Sequence, residues 1–287
     1  MKVVRSKKVP SEIIESSSNL ELIIRAGVGY DNIDTKAATK KGVRVENVPG
    51  KNVHAVSELV MAMIFSFDRQ VHLMDQLSKK GEWDKAGFSK AKGLRYRVVG
   101  IVGLGKIGIN VAKTCLAIGM KVVYFSLGVK PGTKLYVFGE ECKQLFCEAV
   151  TYDVLLKESD IISLHIPFTE KTKNMINKSS LNKMKKDVIL INTARGGVIN
   201  EQELIEHMNN NKKFRFGCDV FQNEPSVKKG KFNSVLVKHP HVLSTHHIGA
   251  GTDQASFAVG TGLYNQLKMY VENNKIVNCV NFASAKL

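Results

Sequence analysis

The chain has 287 residues, of which 44% are hydrophobic and 24% charged, and its formal net charge is +16. This mixture excludes a disordered or fibrous protein, and the length allows two modest domains with buried cores. The longest strongly apolar stretch, residues 59–67, is too short to cross a bilayer, and no apolar segment follows the N-terminal lysines. We therefore expect a cytoplasmic protein that binds no membrane.

The excess of Lys and Arg over Asp and Glu, 42 against 26, raises the question of a nucleic-acid partner. The lysines are scattered, however, and no zinc-finger, homeodomain or RNA-binding pattern is present. We predict no nucleic-acid partner and interpret the charge as a solvated surface that also attracts a small anionic substrate. The cysteines follow no disulfide or metal-binding spacing, which predicts reduced, mostly buried thiols and no metal site. They are Cys115, Cys142, Cys147, Cys218 and Cys279.

Residues 1–92 alternate short β-rich runs with helical patterns and end in one long predicted helix. The predicted strands lie within residues 2–6, 20–27 and 43–49, and the predicted helices within 11–17, 34–42 and 55–77. This alternation is typical of a small α/β domain.

Residues 98–250 repeat the alternation on a larger scale, which predicts βαβ units and a doubly wound parallel sheet. The predicted strands lie within residues 98–103, 121–126, 160–166, 187–193, 215–221 and 241–247, and the predicted helices within 106–119, 153–159, 179–184 and 201–211. A final long helix over 252–274 would return the chain to the first domain.

A glycine motif, G-x-G-x-x-G, joins the first strand of the larger domain to its first helix. Gly103 would make the tight turn, Gly105 would let the backbone approach a pyrophosphate at the helix N-terminus, and Gly108 would permit close helix–strand packing. The alternative is that these glycines only turn the chain. The position after a strand and before a helix favours dinucleotide binding.

The next strand ends in Ser126, where an acidic residue usually holds the adenosine ribose. A serine can donate a hydrogen bond to the ribose but has no charge to repel a 2′-phosphate, and Lys130 and Lys134 follow closely. The sequence therefore indicates NAD without excluding NADP. The two lysines are equally explained as part of a solvated loop.

Three further stretches place reactive side chains after predicted strands. Arg195 follows one strand, Asp219 and Glu224 follow the next, and the adjacent His246 and His247 follow the last. In a doubly wound sheet, ligands bind at these carboxyl ends. Each residue also has a structural explanation: a helix-capping arginine, surface carboxylates, or histidines satisfied in the core.

Taken together, these segments resemble the D-isomer-specific 2-hydroxyacid dehydrogenases, and among them the phosphoglycerate dehydrogenases, over nearly the whole chain. Arg195, Glu224 and His247 also have the order and spacing of that family, at intervals of 29 and 23 residues. The matching segments are "VRS", "RAGVGYDNID", "VGLGKIG", "LHIPFTEKTKNMIN", "NTARGG", "DVFQNEP" and "HIGA".

The resemblance implies three catalytic residues. His247 would take the substrate hydroxyl proton, Glu224 would orient the imidazole, and Arg195 would bind the carboxylate and polarise the adjacent oxygen. His246 stands where the family usually has proline. Because neighbouring residues of a strand face opposite ways, only one of the two histidines could enter the site, and we expect His247.

The same resemblance implies the cofactor and substrate contacts. Asp219 would hold the nicotinamide carboxamide, and the Gly27, Val28 and Gly29 backbone would form a nest for the substrate carboxylate. Arg5 would meet a substrate phosphate or would be a solvated edge residue. The remaining cofactor residues would be Lys106, Ile107, Ile166, Thr193, Ala194, Gly249 and Ala250.

The fold implied is α/β, with two doubly wound parallel-sheet domains. A Rossmann-type dinucleotide domain (93–252) would be inserted into a flavodoxin-like substrate domain (1–92 and 253–287). That domain would lack its first two βα units, about 50 residues at about 25 per unit. A bare strand edge should then reduce the stability of residues 1–92. At the other end, we expect no regulatory domain after the catalytic unit.

Two functions remain open on this resemblance. The first is an NAD(P)-dependent dehydrogenase that forms a homodimer through its dinucleotide domains. Its reaction would be 3-phosphoglycerate oxidation in serine biosynthesis, with glyoxylate or hydroxypyruvate reduction as the alternative. The second is a non-catalytic, NADH-sensing interaction protein, because corepressors with this fold can retain similar residues.

Overall fold

The computed structural model describes residues 1–139, 142, 144–225 and 229–282. In chain order, its elements are β1 (Lys2–Val4), α1 (Ser11–Glu15), β2 (Leu22–Arg25), α2 (Thr35–Lys40), β3 (Arg44–Asn47), α3 (Val53–Arg69), α4 (Val71–Lys79), α5 (Lys85–Phe88), β4 (Val98–Val102), α6 (Lys106–Ala117), β5 (Lys121–Phe125), β6 (Lys134–Leu135), β7 (Cys147–Ala149), α7 (Tyr152–Glu158), β8 (Ile161–Leu164), α8 (Lys178–Lys183), β9 (Ile189–Asn192), α9 (Glu201–Asn210), β10 (Arg215–Cys218), α10 (Val235–Lys238), β11 (Val242–Ser244) and α11 (Asp253–Asn273). The predicted α/β alternation is confirmed.

Packing divides the chain into two units, and the first combines an N-terminal with a C-terminal segment. This unit consists of residues 1–55 and the described residues from 250 onward, whereas residues 56–249 form the second unit. Residues 56–92 are predicted from the sequence to belong to the first domain. They pack with the second unit because α3 contributes Val60, Met63 and Ile64 to its core.

The first unit has a three-stranded parallel sheet in the order β1–β2–β3. Its core includes Val4, Ile23 and Val45, one from each strand. The C-terminal segment joins β3, since the Val280 N–H donates to the Val45 carbonyl over 2.8 Å. Within the described residues, β1 pairs with β2 alone, and Val3 on this edge strand is 44% exposed.

The second unit contains an eight-stranded sheet in the order β11–β10–β9–β8–β4–β5–β7–β6. All neighbouring strands are parallel except β6, which runs antiparallel to β7. Chain order reverses between β4 and β8, so the carboxyl ends of these two strands form the topological switch point at which ligands of such sheets bind.

Helices cover both faces of this sheet, and the strand sequences show why. Ile161, Ile189 and Ile191 face a core formed with α3 and α6, while the alternating neighbours Ile162 and Leu190 face a core formed with α7, α8 and α9. Strands buried on both faces are continuous apolar runs, which is the pattern seen in the sequence.

The long helix predicted over 55–77 is wrong in one respect: it is two helices. Gln70 has φ of 49°, in the left-handed region, and separates α3 from α4. A helix cannot continue through a residue in that conformation. No glycine or proline near residue 70 gave a signal of the break.

The five cysteines are free, and Cys115, Cys147 and Cys218 are buried. Burial raises the pKa of Cys115 and of Cys147 to about 12, so these two thiols stay protonated at neutral pH. Among the described residues, no helix is long and apolar enough to cross a membrane.

Candidate active site

The glycine turn lies at the topological switch point of the second unit. Gly103 has φ of 93°, and a Cβ added there would lie 2.7 Å from the His165 carbonyl oxygen, at the end of β8. A Cβ on Gly108 would lie 2.3 Å from the Gly103 carbonyl oxygen. Both positions therefore exclude any larger residue, as the motif predicted.

Gly105 differs, because a Cβ there would meet nothing within 4 Å. It is the N-cap of α6 and, having no side chain, it cannot accept a hydrogen bond from the first N–H groups of the helix. The first turn of a helix leaves its N–H groups without intrahelical acceptors, and here these include the groups of Lys106 and Ile107. Open space in front of unpaired donors at a helix N-terminus can hold an anion such as a pyrophosphate.

Ser126 directly follows β5 and begins a tight loop. The Val129 N–H donates to the Ser126 carbonyl over 3.2 Å, and the Thr133 hydroxyl donates to the Lys130 carbonyl over 2.7 Å. The Lys134 ammonium lies 4.4 Å from the Phe146 ring centroid. Residues 126–139 contain no Asp or Glu, so no carboxylate of this loop would oppose a phosphate.

Side chains and backbone after β8 and β9 form the next part of the switch-point region. The methyl group of Ile166 would lie 2.7 Å from a Cβ on Gly103, so Ile166 packs directly on the glycine turn. The Ala194 N–H donates to the Asn192 side chain over 3.0 Å, which fixes the turn after β9. The Thr193 hydroxyl is buried and has no hydrogen-bond partner among the residues that the structure describes. Such a group fits a bound ligand, because buried polar groups are normally paired.

His165 was missed by the sequence analysis. Burial lowers the pKa of this histidine to about 4, and its Nε2 lies 2.9 Å from the Ser163 hydroxyl. It is therefore neutral at physiological pH. The segment "LHIP" carried the resemblance as a whole, but nothing in its spacing marked this side chain.

Arg195 lies where the segments after β9 and β10 come together. Its guanidinium donates to the Ala194 carbonyl over 2.7 Å. The following 3₁₀ turn (Gly196–Val198) packs on the second segment, since a Cβ on Gly196 would lie 2.0 Å from the Phe221 carbonyl carbon. Only glycine permits this approach, which brings Arg195 and the segment that carries Glu224 to the same sheet edge.

Glu224 and His247 form a hydrogen-bonded pair. The distance from Glu224 Oε2 to His247 Nδ1 is 2.7 Å, and Glu224 Oε1 accepts from the Phe221 N–H over 3.0 Å. The resemblance implies this pairing. The imidazole is half exposed, so a substrate can reach it.

The charges around the pair shift the pKa values of both partners. The hydrogen bond to Glu224 raises the pKa of His247, with further support from the charges of Glu224 and Asp219, against the opposing effects of burial and Arg195. Burial acts to raise the pKa of Glu224, but the His247 and Phe221 hydrogen bonds and the His247 and Arg195 charges outweigh it and lower that pKa. The pair thus favours a charged imidazolium beside a carboxylate.

The prediction that His246 and His247 lie in a strand and face opposite ways is wrong. β11 ends at Ser244, so neither histidine lies in a strand. His247 instead has φ of 53°, in the left-handed region. The turn, rather than strand alternation, directs its side chain to Glu224.

Asp219 lies inside the turn that carries His247. It is 1% exposed, and its carboxylate accepts hydrogen bonds from the Thr245 hydroxyl and from the N–H groups of Ile248 and Gly249. The structure therefore shows Asp219 binding this turn. Its predicted contact with a nicotinamide stays a prediction, as does the cofactor contact of Ala250, which belongs to the first unit.

In the first unit, the predicted carboxylate nest is partly used by the protein itself. The Ala26 N–H donates to Val4 and the Gly27 N–H to Arg25, both over 2.8 Å, while the Asn47 side chain donates to the Val28 carbonyl over 2.7 Å. Val28 and Gly29 are the predicted nest residues whose N–H groups would remain for an anion. Arg5 follows β1 and is exposed.

Arg25 was also missed. A Cβ on Gly27, whose φ is 148°, would lie 1.4 Å from Nη1 of Arg25, so the guanidinium passes directly over this glycine. The motif "RAGVG" contained this signal, since a glycine two residues after a long cation leaves room for it. Among the residues that the structure describes, no group of three or more His, Cys, Asp or Glu could hold a metal ion.

Comparisons with known proteins agree with this geometry. The family described as D-isomer specific 2-hydroxyacid dehydrogenase, NAD binding domain, matches residues 61–249. Hydroxypyruvate reductase of Thermotoga maritima is 41% identical over 92% of this chain and 82% of its own length. D-3-phosphoglycerate dehydrogenase of Archaeoglobus fulgidus is 35% identical over 98% of this chain, which spans only 51% of that protein.

Among solved structures, D-lactate dehydrogenase of Aquifex aeolicus, complexed with NAD and lactic acid, superposes with a TM-score of 0.86. It is 31% identical, with 98% of this chain and 86% of that chain covered. The family match spans more than half of the chain, and the fold agrees over nearly all of it. The chain therefore belongs to the D-isomer-specific 2-hydroxyacid dehydrogenases, a family of NAD-dependent oxidoreductases.

Proposed function

We propose that this protein interconverts a D-2-hydroxy acid and the corresponding 2-oxo acid. The observation that carries the proposal is the 2.7 Å contact between Glu224 and His247 at the sheet edge that also holds Arg195. These three groups can move one proton and bind one carboxylate. Oxidation of a hydroxyl next to a carboxylate needs both capacities.

In this mechanism, His247 exchanges a proton with the substrate oxygen. Its Nε2 is the atom that faces the substrate, because Nδ1 is held by Glu224. During oxidation, the neutral ring accepts the hydroxyl proton; during reduction, the imidazolium returns it. Glu224 fixes the ring orientation and stabilises the imidazolium. Arg195 binds the substrate carboxylate and polarises the carbonyl oxygen, on which negative charge develops.

The residues at the switch point fit a nicotinamide dinucleotide. We propose that the Lys106 and Ile107 amides bind its pyrophosphate next to Gly105, that Gly103 and Gly108 shape the turn that presents them, and that Ser126 binds the adenosine ribose. The Gly103 N–H is itself engaged, since it donates to the Phe125 carbonyl over 2.8 Å. Ile166, Thr193, Ala194 and Gly249 would line the rest of the cleft, with Ala250 and Asp219 as further contacts. When bound, the nicotinamide supplies the hydride acceptor or donor. The orphaned Thr193 hydroxyl and the open space at Gly105 support this assignment.

For the first unit, we propose that the backbone of Gly27, Val28 and Gly29 binds the substrate carboxylate. Since the Gly27 N–H is already engaged, the Val28 and Gly29 amides would be the donors. Arg5 would bind a phosphate if the substrate carries one.

We propose hydroxypyruvate and glyoxylate as the first substrates and 3-phosphoglycerate as the second candidate. The hydroxypyruvate reductase named above supports the first choice, because the match covers most of that relative and has the higher identity. The second choice is supported by the phosphoglycerate dehydrogenase match and by an exposed arginine directly after β1. We further propose a homodimer formed through the dinucleotide-binding unit.

The test is the absorbance of reduced nicotinamide with the purified chain. Hydroxypyruvate and glyoxylate are supplied with NADH and with NADPH, and 3-phosphoglycerate with NAD and with NADP. Turnover with either 2-oxo acid at a higher kcat/KM than with phosphoglycerate supports the first choice, and the reverse order supports the second. Tight NADH binding without turnover of any substrate would contradict the enzyme proposal and favour an NADH-sensing protein. Sedimentation of the same sample tests the dimer.

A further inference from the structure

The turn from Thr245 to Gly249 has an unusual backbone conformation at its centre. His247 has φ of 53°, which non-glycine residues seldom adopt, because the Cβ crowds the backbone. Such a conformation persists only where the surrounding structure enforces it. The turn therefore needs an internal contact that holds it.

Asp219 supplies that contact through four hydrogen bonds. Its backbone carbonyl accepts from the His247 N–H over 2.8 Å. Its carboxylate accepts from the Ile248 N–H over 2.8 Å, from the Gly249 N–H over 2.7 Å and from the Thr245 hydroxyl over 2.6 Å. A buried carboxylate with these partners is a rigid centre around which the turn is built.

Thr245 is the side chain that completes this centre. It directly follows β11, and its N–H donates to the Cys218 carbonyl over 2.9 Å, so its backbone is anchored to β10. Its hydroxyl shares Asp219 Oδ1 with the Ile248 N–H. The hydroxyl thereby links the fixed sheet edge to the carboxylate that holds the turn.

We propose that Thr245 is a positioning residue for hydride transfer, whose hydroxyl acts through the Asp219 carboxylate to hold the left-handed turn that presents His247 to Glu224. This proposal rests on the proposed function, in which His247 exchanges the substrate proton. In this role, the Thr245 hydroxyl does not contact the substrate. Its effect reaches the imidazole through the backbone from Ile248 to His247.

The test compares Thr245→Val, which keeps the shape and removes the hydroxyl, with Thr245→Ser, which keeps the hydroxyl. The first readout is the titration of His247 followed by NMR of the ring in the full chain, which needs no turnover. Three charged groups act on this ring: Glu224, Asp219 and Arg195. Because contact with Glu224 is the main cause that raises the pKa of His247, a displaced ring should titrate closer to 6.5.

In Thr245→Val, we expect the His247 midpoint to fall towards 6.5 and kcat to fall about tenfold, the effect of losing one hydrogen bond to a charged group. The KM for NADH should change less than kcat, because most of the proposed cofactor contacts lie at the glycine turn and after β8 and β9, outside the turn that Thr245 holds. Thr245→Ser should restore both the midpoint and kcat. Should Thr245→Val fail to fold, Thr245→Ala removes the same hydroxyl without requiring the β-branched shape.

A folded variant without the hydroxyl that keeps the wild-type His247 midpoint overturns the proposal, whatever its melting temperature. Equal impairment in Thr245→Ser also overturns it, because the γ-methyl group would then be the important feature. If the wild-type chain turns over no 2-hydroxy acid, the proposed function fails. The NMR comparison still decides whether Thr245 positions His247.

Discussion

Two parts of one sheet edge, formed by the carboxyl ends of the parallel strands, carry the candidate site, and they are built in different ways. At the ends of β4 and β5, glycines and backbone amides shape the surface, and Gly103 and Gly108 leave no room for a Cβ. At the ends of β9, β10 and β11, side-chain hydrogen bonds shape it, with Asp219 and Glu224 as the acceptors. The first part therefore requires residues without a Cβ, whereas the second requires side chains that donate or accept hydrogen bonds.

This difference determines which substitutions each part of the sheet edge tolerates. A backbone surface is damaged by adding an atom, and the damage falls on cofactor binding and stability. A side-chain network is damaged by removing a charge or a proton, and the damage falls on turnover and its pH dependence. Substitutions in the two parts should therefore separate effects on cofactor binding from effects on turnover.

The largest effect is expected for His247→Asn. Without a proton acceptor, kcat should fall by a factor of about 10² to 10⁴, while the Kd for NADH should stay close to the wild-type value. Asparagine tolerates positive φ, so the turn should survive. NADH fluorescence titration and steady-state kinetics measure the two quantities. His246→Asn is the matched control, and loss of turnover in this control with retention in His247→Asn would reverse the assignment.

The next largest effect is expected for Gly103→Ala, in the glycine turn after β4. The positive φ and the 2.7 Å approach to the His165 oxygen should lower the free energy of unfolding by about 1–3 kcal/mol and weaken NADH binding. Gly105→Ala is the control for stability, because open space surrounds its Cβ. It should destabilise the protein less than Gly103→Ala, since it loses only the N-cap preference for glycine, but bind NADH about tenfold more weakly if the pyrophosphate lies there. Wild-type NADH affinity in Gly105→Ala would move the phosphate site elsewhere.

A smaller effect is expected for Glu224→Gln, and its sign follows from the pKa directions. Loss of the carboxylate should lower the pKa of His247, so the rise of oxidation with pH should move to lower pH, and reduction should decline at lower pH than in wild type. The maximal rate should fall about tenfold. Glu206→Gln, on the exposed surface of α9, should leave both profiles unchanged. An unchanged profile in Glu224→Gln would contradict the pairing.

The same pair links stability to pH. The pKa of His247 is raised above 6.5, so its contribution is complete below that value and is lost as pH rises through the folded-state pKa. The pKa of Glu224 is lowered from 4.5, so its contribution is present above that value and is lost as pH falls through the folded-state pKa. Wild type should exceed Glu224→Gln in stability most clearly between 4.5 and 6.5, as denaturant melts at several pH values would show.

The smallest effect is expected for Ser126→Asp. A carboxylate at the end of β5 should bind the ribose hydroxyls and repel a 2′-phosphate, which should raise the Kd ratio of NADPH to NADH about fivefold. Leu127→Asp places the same charge on an exposed neighbour and should change this ratio less. Equal effects in both variants would show that only the net charge of the loop matters.

Local sequence was sufficient to predict the glycine turn and most of the strands and helices, but not α5, β6, β7 or α10. The apolar runs of β4, β8 and β9 and the periodic helices α6 and α11 depend on short-range patterns. The requirement for glycine at 103 and 108 likewise follows from a turn of a few residues. Side-chain pairing between residues 23 apart was expected only because the segments resemble a known family.

The sequence by itself therefore determined the fold class, the glycine turn and the types of residue available for the chemistry. It could do so because steric rules and hydrophobic periodicity act within a few residues. Only the tertiary structure decided the break at Gln70, the left-handed turn at His247 and the bonds of Asp219 that hold it. The last two features depend on backbone groups of the segments after β10 and β11 meeting at one sheet edge. A buried carboxylate takes whatever donors that meeting provides, which no local pattern specifies.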